Sequence, residues 1–403
     1  MLTLSTAQAE EVLSMERAVA EALAANPSLA AIEARAKALA EIPDQAESLP
    51  DPNLSINALN LPLDSLSLSQ EAMTQLQIGV TQALPYPGKL ALRAQAASHE
   101  ANAAVSELDE KRLQLVRDVK TVWWNLFYLD RALEVIARNQ VLLAQFVNVA
   151  ETRYTVGQGL QQDILLAQLE LSKLSDSKIR VENRRENETI RLNLLRDRAA
   201  AEAILLPTSV DESLLSLKDI QTLQARAATG RPTLAAQEAR LGAASRRIDL
   251  AKKGYAPDFK VGAVYGFRSG NNPDGSSRTD VGSILFSMNL PIYTGSKQDR
   301  VVDQRNAEWL QKKYELHEQR NRVASQVQQA MTDYRRASEQ TQLFQQEIIP
   351  QARQTVDAML AGYQVGKVDF LNLVRAQTTL YDYETQYWKA LSAANQAMAR
   401  LVA

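Results

Sequence analysis

The 403 residues carry a formal net charge of -2, 45% hydrophobic side chains and no cysteine. This balance allows a sizeable core, argues against a basic nucleic-acid-reading surface, and removes disulfides, thiolate metal sites and cysteine nucleophiles together. No window approaches the about 18 apolar residues of a membrane-crossing helix, whereas the alternating pattern of a β-barrel span would escape such a search.

In chain order, Ala7-Gln8-Ala9 has the small-x-small form of a signal-peptidase site and reads as the tail of a shortened export signal. Met15 to Glu47 is alanine-rich and reads as helix, ended by Asp51-Pro52-Asn53. Leu54, Ile56 and Ala58 alternate with Ser55 and Asn57, and Leu76, Ile78 and Val80 with Gln75, Gln77, Gly79 and Thr81. This period of two predicts a β-hairpin over 53–84. From Lys89 to Arg153 there is neither Gly nor Pro. A helix of about 65 residues at ~1.5 Å each reaches roughly 97 Å, a rod that cannot fold back into a globule. Leu115, Val119, Val122, Leu126, Leu129, Leu133, Ile136, Gln140, Leu143, Val147 and Ala150 follow the 4-3 spacing of a heptad seam with one polar position, Gln140. The rod turns at a tip over 154–160 and runs back through Asp163 to about Arg198, and Pro207-Thr208-Ser209 marks a linker over 201–217.

The second half repeats this order. A helical stretch precedes a hairpin over 258–290, in which Phe259, Val261, Ala263, Tyr265 and Phe267 alternate with Lys260, Gly262 and Gly266, and Ile284, Phe286, Met288 and Leu290 with Ser283, Ser287 and Asn289. Ser269 to Gly275 forms its polar turn. A second seam follows through Val323, Val327, Ala330, Tyr334, Ala337, Thr341, Phe344 and Ile348, in a helix that Pro350 should kink or break. The tip at 362–368 leads into a return from Asp369 to Leu401.

The likeness of the halves extends to letters. Pro27-Ser28-Leu29-Ala30-Ala31 matches Pro232-Thr233-Leu234-Ala235-Ala236, Leu84-Pro85 with Gly88 matches Leu290-Pro291 with Gly295, and Tyr154-x-Val156-Gly157 with Ala167-Gln168 matches Tyr363-x-Val365-Gly366 with Ala376-Gln377. Three ordered matches point to a tandem duplication, with repeats over 10–200 and 218–403. The chain is therefore mainly α with a small β part: long antiparallel coiled-coil hairpins plus two β-hairpins. Two hairpins cannot close a barrel alone, and strands with one apolar and one polar face suit a membrane barrel closed by several chains. A soluble coiled-coil scaffold, the competing class, has no need of such strands.

Chemistry-bearing constellations are missing from the sequence: there is no HExxH, P-loop, GxSxG or Cys/His pair, and the two histidines, His99 and His317, stand far apart. The chain is read as no enzyme, with neither cofactor nor metal site. Trp123 and Trp124 read as helix packing, as do Tyr154 and Tyr363 at the tips. Asp163 and Asp369, near helix starts, suit the positive end of the helix dipole.

Gln82-Ala83-Leu84-Pro85-Tyr86-Pro87-Gly88-Lys89-Leu90-Ala91-Leu92-Arg93, Arg153-Tyr154-Thr155-Val156-Gly157, and Gly362-Tyr363-Gln364-Val365-Gly366 with Ala376-Gln377-Thr378-Thr379-Leu380-Tyr381, set in the duplicated layout, resemble the TolC-type outer-membrane efflux protein family from about Ser14 to Leu401. Pro85-Tyr86-Pro87-Gly88-Lys89 is similar to the heavy-metal efflux branch, CusC-like and CzcC-like. The resemblance implies a homotrimer in the outer membrane of a Gram-negative bacterium, with a twelve-stranded barrel in lipid above a periplasmic α-barrel. It also implies a periplasmic adaptor and an inner-membrane pump of the resistance-nodulation-division class as partners, the chain being a passive duct; a type I protein secretion duct is the alternative. By matching position, Arg153, Tyr154, Val156, Gly157, Tyr363, Val365 and Gly366 fall at adaptor-contacting tips, where glycine permits positive φ. Asp163 matches an acid of the family's entrance gate. In the second half the matching positions are Asn372 and Arg375, with Asp369 one turn closer to the tip. Val368 stands where a gating arginine can occur.

Overall fold

The computed structural model describes residues 12–402, so the export-signal reading of Ala7-Gln8-Ala9 lies outside it. The chain divides into two compact units, the first built from the described residues up to Ala31 with Leu108–Arg231 and Arg320 onward, the second from Ile32–Glu107 and Pro232–Gln319.

Helix appears where alanine-rich and heptad patterning predict it, but the expected helix from Met15 to Glu47 is three: α1 (Met15–Ala25), α2 (Pro27–Ala40) and α3 (Ile42–Glu47). Asn26, held extended before Pro27, caps α1, and its Oδ1 accepts the Leu29 N–H at 3.1 Å. Pro43 sits in the first turn of α3, where its missing N–H removes no intrahelical bond. The chain continues through strands β1 (Asn53–Leu59) and β2 (Gln75–Leu84), helices α4 (Lys89–Thr155), α5 (Gln161–Leu195), α6 (Ile220–Gly230) and α7 (Pro232–Lys252), strands β3 (Phe259–Phe267) and β4 (Val281–Met288), and helices α8 (Gln298–Leu343), α9 (Ile349–Gln364) and α10 (Phe370–Val402).

The second unit holds one antiparallel sheet in the order β1-β2-β3-β4, which leaves one side of β1 and one side of β4 unpaired. Its register confirms the alternation. Ile56 lies opposite Ile78 and Ile78 opposite Tyr265, while Leu54, Val80, Ala263 and Ile284 form the next row. Directly paired residues share a face, so one side is apolar apart from Gln82 and Gly282, and the other carries Gln77, Thr81, Lys260, Ser283 and Ser287 beside Val264 and Leu285. Every residue of β4 is exposed, Ile284 to 91%. The Pro85–Lys89 turn is fixed by buried Lys89, whose Nζ lies 2.8 Å from Asp258 Oδ1, an oxygen that also accepts the Tyr86 N–H at 2.7 Å. Burial opposes ionisation of Asp258, but these bonds and the Lys89 and Arg93 charges outweigh it and hold its carboxyl below the ordinary range.

The first unit buries the seams. Val119, Val122, Leu126, Leu129 and Ile136 of α4 are at most 2% exposed. Trp123 stacks on Phe127 with centroids 5.7 Å apart, Trp124 meets both edge-on, and Trp123 Nε1 donates to the Leu13 carbonyl at 3.1 Å, so both tryptophans are packing residues. Toward the tip, the buried positions of α4 are Asn139, Leu143, Phe146 and Ala150, while Val147 and Gln140 are half-buried. The polar place in the seam is thus Asn139 and not Gln140, because Asn139 faces α10, where its Oδ1 accepts from Gln377 Nε2 at 2.5 Å. Between α8 and α9 the chain stays helical, but Phe344–Ile348 form one π turn. Pro350 lacks the N–H that a continuing α-helix needs, and the widened turn absorbs the missing bond.

The stretch 201–217 holds no helix or strand, yet it is tied down. The Leu205 carbonyl accepts the Leu13 N–H at 2.8 Å, Arg185 donates to the Ile204 carbonyl at 2.9 Å, Arg131 to that of Thr208 at 2.6 Å, and the Tyr334 hydroxyl to that of Leu215 at 2.5 Å. Ile204 and Leu206 are buried, and Leu214 and Leu217 pack against Tyr334, Ala337, Ala394 and Ala397.

Candidate functional site: the paired helical tips

Both tips close by the same hydrogen-bond scheme. In the first, Gly157 donates to the Tyr154 carbonyl at 3.0 Å and Gln158 to that of Arg153 at 2.8 Å; in the second, Gly366 donates to Tyr363 at 3.0 Å and Lys367 to Gly362 at 2.9 Å. These are two Schellman caps, and their C′ glycines have φ of 71° and 73°. Each cap also needs a second small residue where the chain folds over the last turn, but on opposite sides. A Cβ on Gly159 would stand 3.0 Å from that of Arg153, and a Cβ on Gly362 would stand 2.5 Å from Val368 Cγ2. The first tip keeps the large residue on the helix, the second on the loop.

That asymmetry places Arg153 between the tips. Its guanidinium donates to the Tyr363 carbonyl through Nη1 and to that of Gln158 at 3.2 Å through Nη2, and it lies 4.7 Å from the centre of the Tyr363 ring. A Cβ on Gly366 would lie 3.4 Å from Nη2, so the glycine serves both the backbone turn and the fit of the arginine. Tyr363, 4% exposed, packs 5.1 Å from Phe370 in a cluster with Leu143, Phe146, Ala150, Ala167, Leu174, Leu373 and Val374. Its hydroxyl is buried and makes no hydrogen bond within the described residues. Burial, then the charge of Asp163, pushes the pKa of that hydroxyl up, with Arg153 opposing. Tyr154, expected to pack likewise, is 47% exposed, because the arginine before it occupies the space between the tips.

Asp163 is in the first turn of α5, whose N-cap Leu160 offers no side-chain oxygen. The carboxylate compensates by accepting the Leu160 N–H while the Asp163 N–H donates to the Leu160 carbonyl at 3.0 Å. Burial raises the Asp163 carboxyl above its ordinary range; the Leu160 bond and Arg153 offset this in part, and the charge of Asp369 adds to it. Asp369 is exposed and immediately precedes α10. The structure therefore brings Arg153, Tyr363, Gly366, Asp163 and Asp369 into one neighbourhood, while Asn372 and Arg375 lie on the exposed face of α10. Val156 and Val365 crown the tips at 62% and 68% exposure. The clamp itself was not legible from the sequence. Its signal is the pairing of Arg153 with Gly362 at matching positions of the two halves. Among the described residues no group of three or more His, Asp or Glu is placed to hold a metal ion, and no helix is long and apolar enough to cross a membrane.

The family model of outer membrane efflux proteins matches residues 18–196 and 223–403. Solved structures with the same fold include the outer membrane protein VceC from Vibrio cholerae (19% identity, 96% of this chain and 95% of that one, TM-score 0.79). CusC (15%, 96% and 90%, TM-score 0.79) and the open state of the MtrE outer membrane channel of Neisseria gonorrhoeae (17%, 96% and 88%, TM-score 0.80) are similar to it as well. No individual curated protein sequence matches it.

Proposed function

This chain belongs to the outer membrane efflux protein family, and from that premise we propose that it is a passive exit duct, one protomer of a homotrimer whose sheets close a twelve-stranded barrel in outer-membrane lipid. The observation that carries this reading is the sheet: four strands, two unpaired edges, one predominantly apolar face and a last strand exposed along its whole length. Unpaired backbone groups are not tolerated in hydrocarbon, so such a sheet spans a bilayer only when other copies take up its edges.

The finer parts of the proposal rest on the tips and on the duplicated layout. Two structural repeats, over 10–200 and 218–403, each supply one β-hairpin and one helical hairpin, a division supported by the two stretches that the family model matches. The exposed Val156 and Val365, with Tyr154 and the cap glycines, form the surface that a periplasmic adaptor's helical hairpins grip. An inner-membrane resistance-nodulation-division pump supplies the energy. Arg153, bridging the two tips, holds the entrance closed, and Asp163 and Asp369 line it. Heavy-metal cations as cargo are supported by the Pro85–Lys89 motif alone.

Fractionation of expressing cells, with mass determination of the detergent-extracted protein, tests the reading. A trimer in the outer membrane that conducts ions in planar bilayers is expected; a soluble monomer or dimer overturns it. Metal tolerance of a strain lacking its own duct, restored by this chain together with its adaptor and pump, tests the cargo.

A further inference from the structure

Among the described residues, the four strands carry one charged side chain, Lys260, the second residue of β3. The register sets it between Ala83 of β2 and Ser287 of β4, on the face that also holds Gln77, Thr81 and Ser283. On the opposite face a lysine would meet lipid, where its charge is strongly unfavourable. Its surroundings leave the ammonium bare. Both row neighbours are small, and the next residue of β3 on that face is Gly262, where a Cβ would stand 2.6 Å from Thr81 Cγ2, so Thr81 lies flat across the strand. Lys260 is exposed and has no ion pair among the described residues. Of the carboxylates flanking the strands at this end, Asp258 already accepts from Lys89 Nζ at 2.8 Å and from the Tyr86 N–H at 2.7 Å, and Asp51, ahead of β1, makes no bond to Lys260.

We propose that Lys260 is the charge-selecting residue of the membrane-spanning lumen, three copies forming an ammonium ring that passes anions ahead of cations. The proposal rests on the duct reading, in which the polar face lines the passage. Rings of lysine or arginine are a general means by which pores favour anions. The reach is sufficient. Twelve strands spaced ~4.8 Å and tilted ~40° give a backbone radius of about 12 Å, and the four-carbon stem of a lysine covers about half of it. The axis then lies about 6 Å from each ammonium, inside the Debye length of about 30 Å at 0.01 M salt but beyond that of about 3 Å at 1 M. Free metal cations would cross the ring against its field, so the lining favours an anionic cargo where the Pro85–Lys89 motif points to a cationic one.

Reversal potentials of the trimer in planar bilayers under a potassium chloride gradient test the ring. The acids at the entrance lie in series with it, so the informative quantity is the change between variants. Lys260→Gln is expected to lower the chloride-to-potassium permeability ratio roughly threefold at about 0.01 M salt and hardly at all at about 1 M, and Lys260→Glu to lower it further. Because the chain has no cysteine, Lys260→Cys can be modified in place by water-soluble methanethiosulfonates. A trimethylammonium reagent should restore the parental ratio, and a sulfonate reagent should depress it. A ratio unchanged by Lys260→Gln and Lys260→Glu, a change undiminished at high salt, or a Lys260→Cys that neither reagent reaches overturns the proposal. Any of these in a conducting trimer leaves the duct reading standing, whereas a chain that forms no conducting trimer overturns both.

Discussion

Replacing Arg153 with alanine removes a side chain that bridges the two tips through one hydrogen bond and a ring contact and is braced on its own tip by Gln158. The guanidinium is half-exposed, so its contact with the Tyr363 ring contributes about 0.5–1 kcal/mol and its bond to the Tyr363 carbonyl about 0.5–1 kcal/mol, whereas the bond to Gln158 lies within the first tip. No orphan remains, because the Tyr363 carbonyl keeps its bond from the Gly366 N–H and the Gln158 carbonyl lies on an exposed loop. The expected change is about 1.5 kcal/mol in the balance between joined and separated tips, roughly tenfold in population. Single-channel recording in planar bilayers should show it as a larger open fraction, with the thermal midpoint of the protein little changed. Tyr363→Phe provides the control: the phenol hydroxyl has no partner among the described residues, so its removal should leave gating unaltered and stability equal or slightly higher. Parental conductance in Arg153→Ala, or opening by Tyr363→Phe alone, would refute the clamp.

Three further outcomes are expected. Gly366→Ala places a Cβ at φ 73° and 3.4 Å from Arg153 Nη2, which should cost about 1–2 kcal/mol and reproduce part of the Arg153→Ala conductance, whereas Gly157→Ala, with open space around it, should cost only the backbone strain. Glu21 accepts from Arg17 at 2.9 Å and from Arg196, 5% exposed, at 2.6 Å. Burial opposes its ionisation, but the bonds from Arg196 and Arg17 and the charges of Arg196 and Arg198 outweigh it and depress the carboxyl. A depressed carboxyl stabilises above its unfolded value and loses that stabilisation as pH falls through the folded one, so Glu21→Gln should cost about 2 kcal/mol at neutral pH and almost nothing in strong acid, read as thermal midpoints. Pro350→Ala restores the missing N–H and should convert the Phe344–Ile348 turn to regular α-helix; unchanged hydrogen exchange across 343–353 would show that the proline does not cause it.

Where local physics decides the conformation, the residues announced it. The Gly- and Pro-free run to Thr155, the period-two strands and the cap glycines all fold as their patterning predicts. Where tertiary neighbours decide, the pattern misled. Gln140 and Asn139 are equally polar, and only α10, which carries Gln377, selects the second for the seam. Tyr154 and Tyr363 occupy equivalent places in similar motifs, yet one is exposed and the other buried, because Arg153 precedes the first and Gly362 the second. Pro43 was passed over as a helix break because proline in a first turn and proline in an interior look alike in a string of letters. The acids followed dipole logic at Asp163, but its closeness to Asp369 arises from the fold.

The stretch 201–217 bears on how the chain could be re-engineered. Joins between tandem copies are the customary places to split a gene into two polypeptides, to move the termini, or to insert a tag. Here four main-chain carbonyls from Ile204 to Leu215 are already engaged by partners drawn from the N-terminal segment and three helices, α4, α5 and α8. A cut between Ile204 and Leu215 would give fragments that still recognise one another, so co-expressed halves should reassemble without a covalent bond. An inserted peptide would displace the hydrogen bonds that make such reassembly possible.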